Sequence, residues 1–250
     1  MQRYFVDSEQ MDHDQIFIKG EDAHHINRVM RMKSGDSFIV VLPDGRSSVC
    51  EITQIEENQV TAKSSGWTKE EKELPIRVAI GSGLPKGDKL EWIIQKGTEL
   101  GAHEFIPFNA ARSIVKWDQK KSDKKLQRWE KIAKEAAEQS HRTIVPKIYA
   151  PINLKEVITK SKDFSYKMIA YEEEAKKGQR SRFASILQSL NQEDSLLVLF
   201  GPEGGFSEQE VKELEENGFI SVGLGPRILR TETAPLYVLS AVSYHFELLR

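Results

Sequence analysis

The chain has 250 residues, with 36 Lys or Arg against 38 Asp or Glu and a net charge of −2. That length allows one large domain or two unequal ones, and the charge balance confines any nucleic-acid surface to a local patch. A single cysteine, Cys50, excludes an internal disulfide and a thiolate metal cage. It fits a reducing compartment such as the cytoplasm, and no apolar run approaches the roughly 18 residues that cross a bilayer.

Short strands open the chain: "RYFV", "IFIK", "SFIVVL" and "SSVCEITQI", the last two joined across Pro43-Asp44-Gly45. Such a run points to a small β-barrel or half-barrel. A helix from about Glu21 to Met32 interrupts it, with Ala23, Ile26, Val29 and Met30 at apolar helical spacing and His24, Arg28 and Arg31 on another face. With Arg3 and Lys33 nearby, these cations form a candidate RNA-binding patch. The stretch "SSGWTKEEKEL", 64–74, lacks apolar periodicity and reads as a linker, giving a domain of residues 1–70 and a second of 71–250.

From Leu74 onward strands alternate with helices, as in an α/β domain with a mainly parallel sheet. The strands are "IRVAIGSG", "EFIPFN", "YKMIAY", "SLLVLF" and "FISVGL". Asp88 is placed to cap a helix with Leu90, Ile93, Ile94, Gly97 and Leu100 on one side and Gly101 at its end. A longer helix, about Asp123 to Ser140, buries Leu126, Trp129, Ala133 and Ala136 or Ala137; others fall near 181–190 and 208–217. The last, about 235–249, carries one stripe of Leu236, Leu239, Val242 and Phe246 and a second of Tyr237, Ala241, Tyr244 and Leu248. Two apolar stripes call for two covers, one from its own domain and one that a partner subunit would supply.

Two loops follow the final two strands. In "LFGPEGGFSEQE", Gly201, Gly204 and Gly205 permit close backbone approach, while Ser207 and Glu210 fit a capping box that occupies the helix-start donors. With Glu203 and Glu208 adding negative charge, this loop suits a neutral or cationic ligand better than a polyphosphate. The second loop, "GPRILRTETAP", packs Arg227, Arg230, Thr231, Glu232 and Thr233 into seven residues between two prolines, more than a plain connection needs. "GSGLPKGD", 81–88, matches neither a P-loop nor G-x-G-x-x-G, since Lys86 stands where the third glycine belongs. Between Arg112 and Arg142 lie ten Lys or Arg (112, 116, 120, 121, 124, 125, 128, 131, 134, 142) against five acids, a second candidate phosphate surface or a solvated helix face. No metal-binding spacing of His or Cys occurs, and no G-x-S-x-G turn.

"GPEGGFSEQE" followed by "LGPRILRTETAP" closely resembles the C-terminal signature of RsmE-type 16S ribosomal RNA (uracil-N3) methyltransferases of the SPOUT superfamily, and the resemblance extends to "HHINRVMRMKSGD", "LPKGDKLEWIIQKGTELGAHEFIPF", "ARSIV" and "EAAEQSHRTIVP". It implies a PUA-like β-barrel and a SPOUT-type α/β domain with a C-terminal trefoil knot, working as a homodimer. It also implies S-adenosylmethionine held by Gly201, Glu203, Gly204, Leu224, Gly225, Arg227, Ile228, Leu229, Thr233 and Ala234, with Tyr171 bordering the pocket. The implied substrate is 16S ribosomal RNA or the small ribosomal subunit. Methyl transfer to an imide nitrogen needs a cation for the developing anion, for which Arg230 is the candidate, and a proton acceptor. Glu232 is either that acceptor or a structural ion-pair partner. Arg3, His24, Arg28, Arg31, Lys33 and Arg112 are the candidate RNA contacts. A non-catalytic RNA-binding or ribosome-assembly protein is the competing reading, and a dinucleotide-dependent oxidoreductase using "GSGLPKGD" is a third.

Overall fold

A computed structural model of the chain describes residues 1–115, 122–171 and 181–249. It divides into two compact units: Met1–Glu73 with Ala137–Ile144, and Leu74–Ala136 with Val145–Arg250. The difference from a cut at 70/71 lies mainly in the return of residues 137–144 to the first unit. Glu73 causes it. Its carboxylate accepts from the Arg142 guanidinium and from the Thr143 and Ile144 backbone N–H groups, at 2.7 and 3.2 Å for the latter two.

The first unit holds β1 (Arg3–Phe5), β2 (Met11–Asp12), β3 (Gln15–Lys19), β4 (Ser37–Val41), β5 (Arg46–Ile55), β6 (Gln59–Ser64) and β7 (Thr68–Lys69). The hydrogen-bonded path runs β1-β4-β5-β6-β3-β2, with β7 on β5. Only β1 and β4 pair in parallel among these described strands; a bulge between Ile52 and Gln54 shifts the β5–β6 register. The sheet wraps Tyr4, Ile16, Ile18, Phe38, Ile52 and Val60 into one core. The β4–β5 turn forms as expected, with Gly45 at φ +81° and Asp44 accepting from the Arg46 backbone. The expected linker is in part fastened down: Thr68–Lys69 pairs with Arg46–Ser47, and Glu70 and Glu73 hold buried arginines.

The interrupting helix is shorter than its apolar spacing suggests. It runs as α1 (Gly20–His24) and then as one wide π-helical turn, His25–Val29, in which the Met30 N–H reaches the His25 carbonyl at 2.9 Å. Ala23 and Ile26 are buried as expected, but Val29 and Met30 are 59% and 38% exposed. The widened turn inserts an extra residue and rotates Val29 and Met30 off the core-facing stripe.

The second unit is built on β8 (Arg77–Gly83), β9 (Glu104–Asn109), β10 (Lys147–Ile148), β11 (Ile152–Asn153), β12 (Tyr166–Ala170), β13 (Ser195–Phe200) and β14 (Ile220–Val222). They form a parallel sheet in the order β10-β9-β8-β13-β12-β14, with β11 beside β9. Its central strands are buried on both faces: Val78, Ile80, Leu196 and Val198 enter one core, Ala79, Ile169, Leu197 and Leu199 the other. A Cβ on Gly81 would lie 2.2 Å from Leu199 Cδ2, and one on Gly83 would lie 2.7 Å from Pro202 Cδ. Gly81 and Gly83 of "GSGLPKGD" therefore serve close packing against β13 and the loop that follows it, while Gly87 turns the chain at φ +63°.

Helices flank this sheet: α2 (Lys89–Glu99), α3 (Ser122–Gln139), α4 (Leu154–Lys160), α5 (Ser181–Ser189), α6 (Glu208–Glu216) and α7 (Thr233–Ser243). Leu90, Ile93, Ile94 and Gly97 of α2 are buried and Gly101 ends it at φ +91°, while Asp88 stands at its cap without a side-chain capping bond. The unforeseen α4 carries a capping box of Asn153 and Glu156. On α7 the buried set is Pro235, Val238, Leu239 and Val242, continued by Phe246, whereas Tyr237, Tyr244 and Leu248 are exposed. Leu236, expected in the core, is only half-buried because Val238 takes the inward position.

Candidate functional site

Parallel strands bring the loops after β13 and β14 to the same sheet edge, with β12 between them. There they enclose a cavity of about 650 Å³. Gly201, Glu203 and Gly204 line it from the first loop, Ile228, Leu229 and Arg230 from the second, Tyr171 from the end of β12, and Ala234 from α7. The other sequence-derived residues support this rim without lining it. Leu224 packs on the core and Gly225 turns the chain at φ +111°; Arg227 and Thr233 are exposed, and Glu232 flanks Lys89.

The first loop is tightly closed on itself. A Cβ at Gly201 would lie 2.9 Å from the Gly205 carbonyl carbon, and one at Gly204 would lie 3.1 Å from Arg112 Cβ. Backbone cannot yield as a flexible side chain can, so glycine at 201 is a steric requirement. The capping box forms: Ser207 Oγ accepts from Glu210 N–H at 3.2 Å, and Glu210 Oε2 accepts from Ser207 N–H at 2.8 Å. Glu210 Oε1 also accepts from Ala111 N–H at 2.7 Å. That bond fastens the segment carrying Arg112, whose Nη1 donates to the Gly204 carbonyl at 3.0 Å. The start of α6 is thus satisfied internally and offers no phosphate cradle.

Lys89 and Arg112 line the cavity, Lys89 without having been singled out and Arg112 expected instead at an RNA surface. Lys89 Nζ donates to Glu203 Oε1 at 2.8 Å and lies 3.6 Å from Glu232 Oε2, bridging the two loops. Its partner Glu203 stands 114 positions away, a separation no local spacing reveals. The hydrogen bond that Lys89 donates to Glu203 raises the lysine's pKa. Burial pushes the Glu203 carboxyl up, but the Lys89 ammonium and backbone N–H groups, including that of Lys86, outweigh it and leave the carboxyl below its usual range. A depressed acid loses its contribution only as pH falls through its folded pKa, and a raised base only as pH rises through its own. The difference in thermal stability between the unaltered protein and E203Q is therefore expected to be flat from about pH 6 to about pH 9, and a titration midpoint inside that window would rule the intact pair out.

In the first unit His24, Arg28, Arg31 and Lys33 are all exposed. Arg3 is not. It is 2% exposed, with Nη2 on Glu70 at 2.9 Å and Nη1 on the Arg142 carbonyl at 3.0 Å, so it is a core clamp and unavailable to a phosphate. The basic run from 112 to 142 is likewise no single face: Arg112 belongs to the cavity, Arg128 pairs with Glu91 at 2.7 Å, and Arg142 is buried on Glu73. Lys116, Lys120 and Lys121 lie outside the described residues. Among the described residues no cluster of three His, Cys, Asp or Glu could hold a metal ion, and no helix is long and apolar enough to cross a membrane.

A parallel sheet with a glycine-walled cavity at its carboxyl edge, preceded by a strand-rich unit with an exposed basic turn, is the arrangement that comparison with known proteins places among RNA methyltransferases of the SPOUT type with a PUA-like unit. The family model described as "RNA methyltransferase domain" matches residues 72–243, and that described as "RNA methyltransferase PUA domain" matches residues 18–63. A ribosomal RNA small subunit methyltransferase E from Bacillus subtilis is 54% identical over 100% of this chain and 99% of its own length. A crystal structure of a hypothetical protein, 52% identical, superposes with a TM-score of 0.92 over 100% of both chains. The structure of a ribosomal RNA small subunit methyltransferase E from Neisseria gonorrhoeae bound to S-adenosyl methionine, 27% identical, matches over 97% of each chain with a TM-score of 0.84. The chain belongs to the ribosomal RNA small subunit methyltransferase E family.

Proposed function

We propose that the protein transfers a methyl group from S-adenosylmethionine to N3 of a specific uridine in 16S ribosomal RNA. The observation that carries this reading is the convergence of both glycine- and arginine-bearing loops on one cavity at the carboxyl edge of the sheet. The cavity suits the cofactor. It has apolar walls from Tyr171, Phe200, Phe206 and Leu229, a backbone cradle that a Cβ at Gly201 would obstruct, and no free phosphate-binding helix start. Gly201, Glu203, Gly204, Ile228, Leu229 and Ala234 would hold it, with Tyr171 at the border and Leu224, Gly225, Arg227 and Thr233 shaping the second loop. When bound, S-adenosylmethionine supplies a methyl group activated by its sulfonium.

The protein's own residues act on the other reactant. Uracil N3 carries a proton and is a poor nucleophile until that proton leaves. Glu232 is the candidate acceptor: it stands beside the cavity lining, its Oε2 accepting no hydrogen bond among the described residues and lying 3.6 Å from the Lys89 ammonium. Loss of the proton spreads negative charge over the two uracil carbonyl oxygens. Arg230 meets this need: its side chain is 84% exposed at the cavity and pairs only loosely with Glu232, at 4.0 Å. His24, Arg28, Arg31 and Lys33 are positioned for RNA phosphates. A cytoplasmic homodimer with a C-terminal trefoil knot completes the reading, the dimer supported by exposed Tyr237, Tyr244 and Leu248 on the final helical segment.

Two measurements test it. Calorimetry of the pure protein with S-adenosylmethionine should show binding, and its absence would favour the non-catalytic RNA-binding reading. Mass mapping of ribosomal RNA nucleosides from cells with and without the protein should differ at one N3-methyluridine. An unchanged map would remove the substrate assignment.

A further inference from the structure

Methylation at N3 sets a requirement that comes before the chemical step. N3 lies on the edge a uridine uses for pairing, so a paired target must be unstacked and opened first. The first unit carries a feature of matching chemistry. Val29 and Met30 stand 59% and 38% exposed in the middle of the basic turn, flanked by exposed Arg28 and Arg31, with His24 and Lys33 close in sequence. We infer that this Val29–Met30 tip is an apolar wedge that inserts between bases of paired ribosomal RNA to open the target, an inference that rests on the RNA-methylation reading above.

The tip is built rigidly. Its base is the π-helical turn, closed by Met30 N–H on the His25 carbonyl at 2.9 Å and Met32 N–H on the Ile26 carbonyl at 3.1 Å. Buried Ala23 and Ile26 root it in the core, and the Tyr4 hydroxyl, itself buried, hydrogen-bonds His25 Nδ1 at 2.9 Å. Gln2 Nε2 rests on Met30 Sδ at 3.6 Å, leaving Val29 as the outer point. Arg31 follows at φ +52°, in the left-handed region, and turns the chain out of the wide turn. Apolar side chains pushed into a base stack, with cations on the adjoining phosphates, are the recurrent means by which proteins open or kink a duplex. The cations around the tip favour a polyanion over the same patch of a second copy, which would set like charges against each other. The nearby acids Glu21 and Asp22 sit one to two turns earlier, in the first turn of α1, and Asp36 accepts from the Lys33 backbone.

The test uses two forms of one small-subunit ribosomal RNA hairpin carrying the uridine found by mass mapping: the paired form, and a form whose opposing bases are replaced so that the uridine is unpaired. For the full-length V29S/M30S variant, kcat/KM is expected to fall about tenfold or more on the paired hairpin and less than about twofold on the opened one. V29L/M30L, which keeps the apolar bulk, should match the unaltered protein on both. An equal loss on both RNAs, or no loss on the paired one, overturns the wedge. So does sedimentation in which the unaltered protein is a dimer and V29S/M30S a monomer, since the tip would then be a self-interface. If the unaltered protein methylates neither RNA, whether naked or assembled into small ribosomal subunits, the methylation reading itself fails, a result distinct from either.

Discussion

Replacing Arg230 with alanine is expected to lower turnover by about 10²–10³-fold while changing the dissociation constant of S-adenosylmethionine by less than about threefold. The side chain is 84% exposed at the cavity, so its removal leaves no hole in the core. The local backbone does not depend on it either: the Arg230 carbonyl, present in any substitution, accepts from Thr233 and Ala234 N–H at 2.9 and 3.0 Å and starts α7. On the proposed reading the substitution removes the cation that meets the charge developing on uracil, an interaction made only as the proton leaves. Such a loss falls on kcat and spares ground-state binding. Arg230→Lys keeps the charge without the planar fork and should recover part of the rate. Parallel losses in turnover and cofactor affinity would instead put the guanidinium on the cofactor.

The largest effect on stability is expected from Arg3→Met, about 3 kcal/mol, toward the low end of the range for breaking a buried pair because Glu70 is partly exposed. Arg3 donates to both Glu70 oxygens, at 2.9 and 3.1 Å, and to the Arg142 carbonyl. Its side chain is 1% exposed against 25% for Glu70. Without it the carboxylate keeps the Ser47 hydroxyl as a donor, and a buried carbonyl loses its partner. For a chain of this length the melting temperature should drop by about 6–12 °C, read by thermal unfolding. Burial raises the Glu70 carboxyl while Ser47 and Arg3 lower it, leaving it below the usual range. The contribution is therefore present at neutral pH and lost as pH falls through that folded value. R3M/E70L removes both charges and should regain most of the stability. RNA affinity of the folded R3M protein should be unchanged, since Arg3 does not reach solvent; a drop of less than about 2 °C, or a selective loss of RNA binding, would return Arg3 to the RNA surface.

Periodicity and turn chemistry succeeded where local interactions decide. The strands of the parallel sheet, the Gly45 turn, the Gly101 helix end and the Ser207–Glu210 capping box each depend on residues a few positions apart. Expectations failed where a distant partner intervened. Arg3 reads as a free cation along the chain because Glu70 lies 67 positions away, and residues 137–144 give no sign of joining the first unit because their anchor, Glu73, precedes them by about seventy. Val29 and Met30 fit an ordinary helical stripe, and the extra residue of the wide turn displaces them. Lys89 escapes notice for a related reason: it sits just past a glycine motif unfit for phosphate, and its importance comes from two carboxylates on later loops.

The sequence by itself determined that a strand-rich unit precedes an α/β unit, that the two C-terminal loops share one edge of the sheet, and that the first of them is capped against phosphate. Those properties arise from side-chain alternation, glycine placement and capping, which act over a few residues. Only the tertiary structure decided that Lys89 and Arg112 complete the cavity, that Arg3 and Arg142 are buried clamps, and that an apolar tip stands among the cations of the first unit. A charge has no fixed role along the chain. Its solvent exposure and its partner are set by which strands pair and which loops meet, and those contacts join residues too far apart in sequence for local pattern to encode.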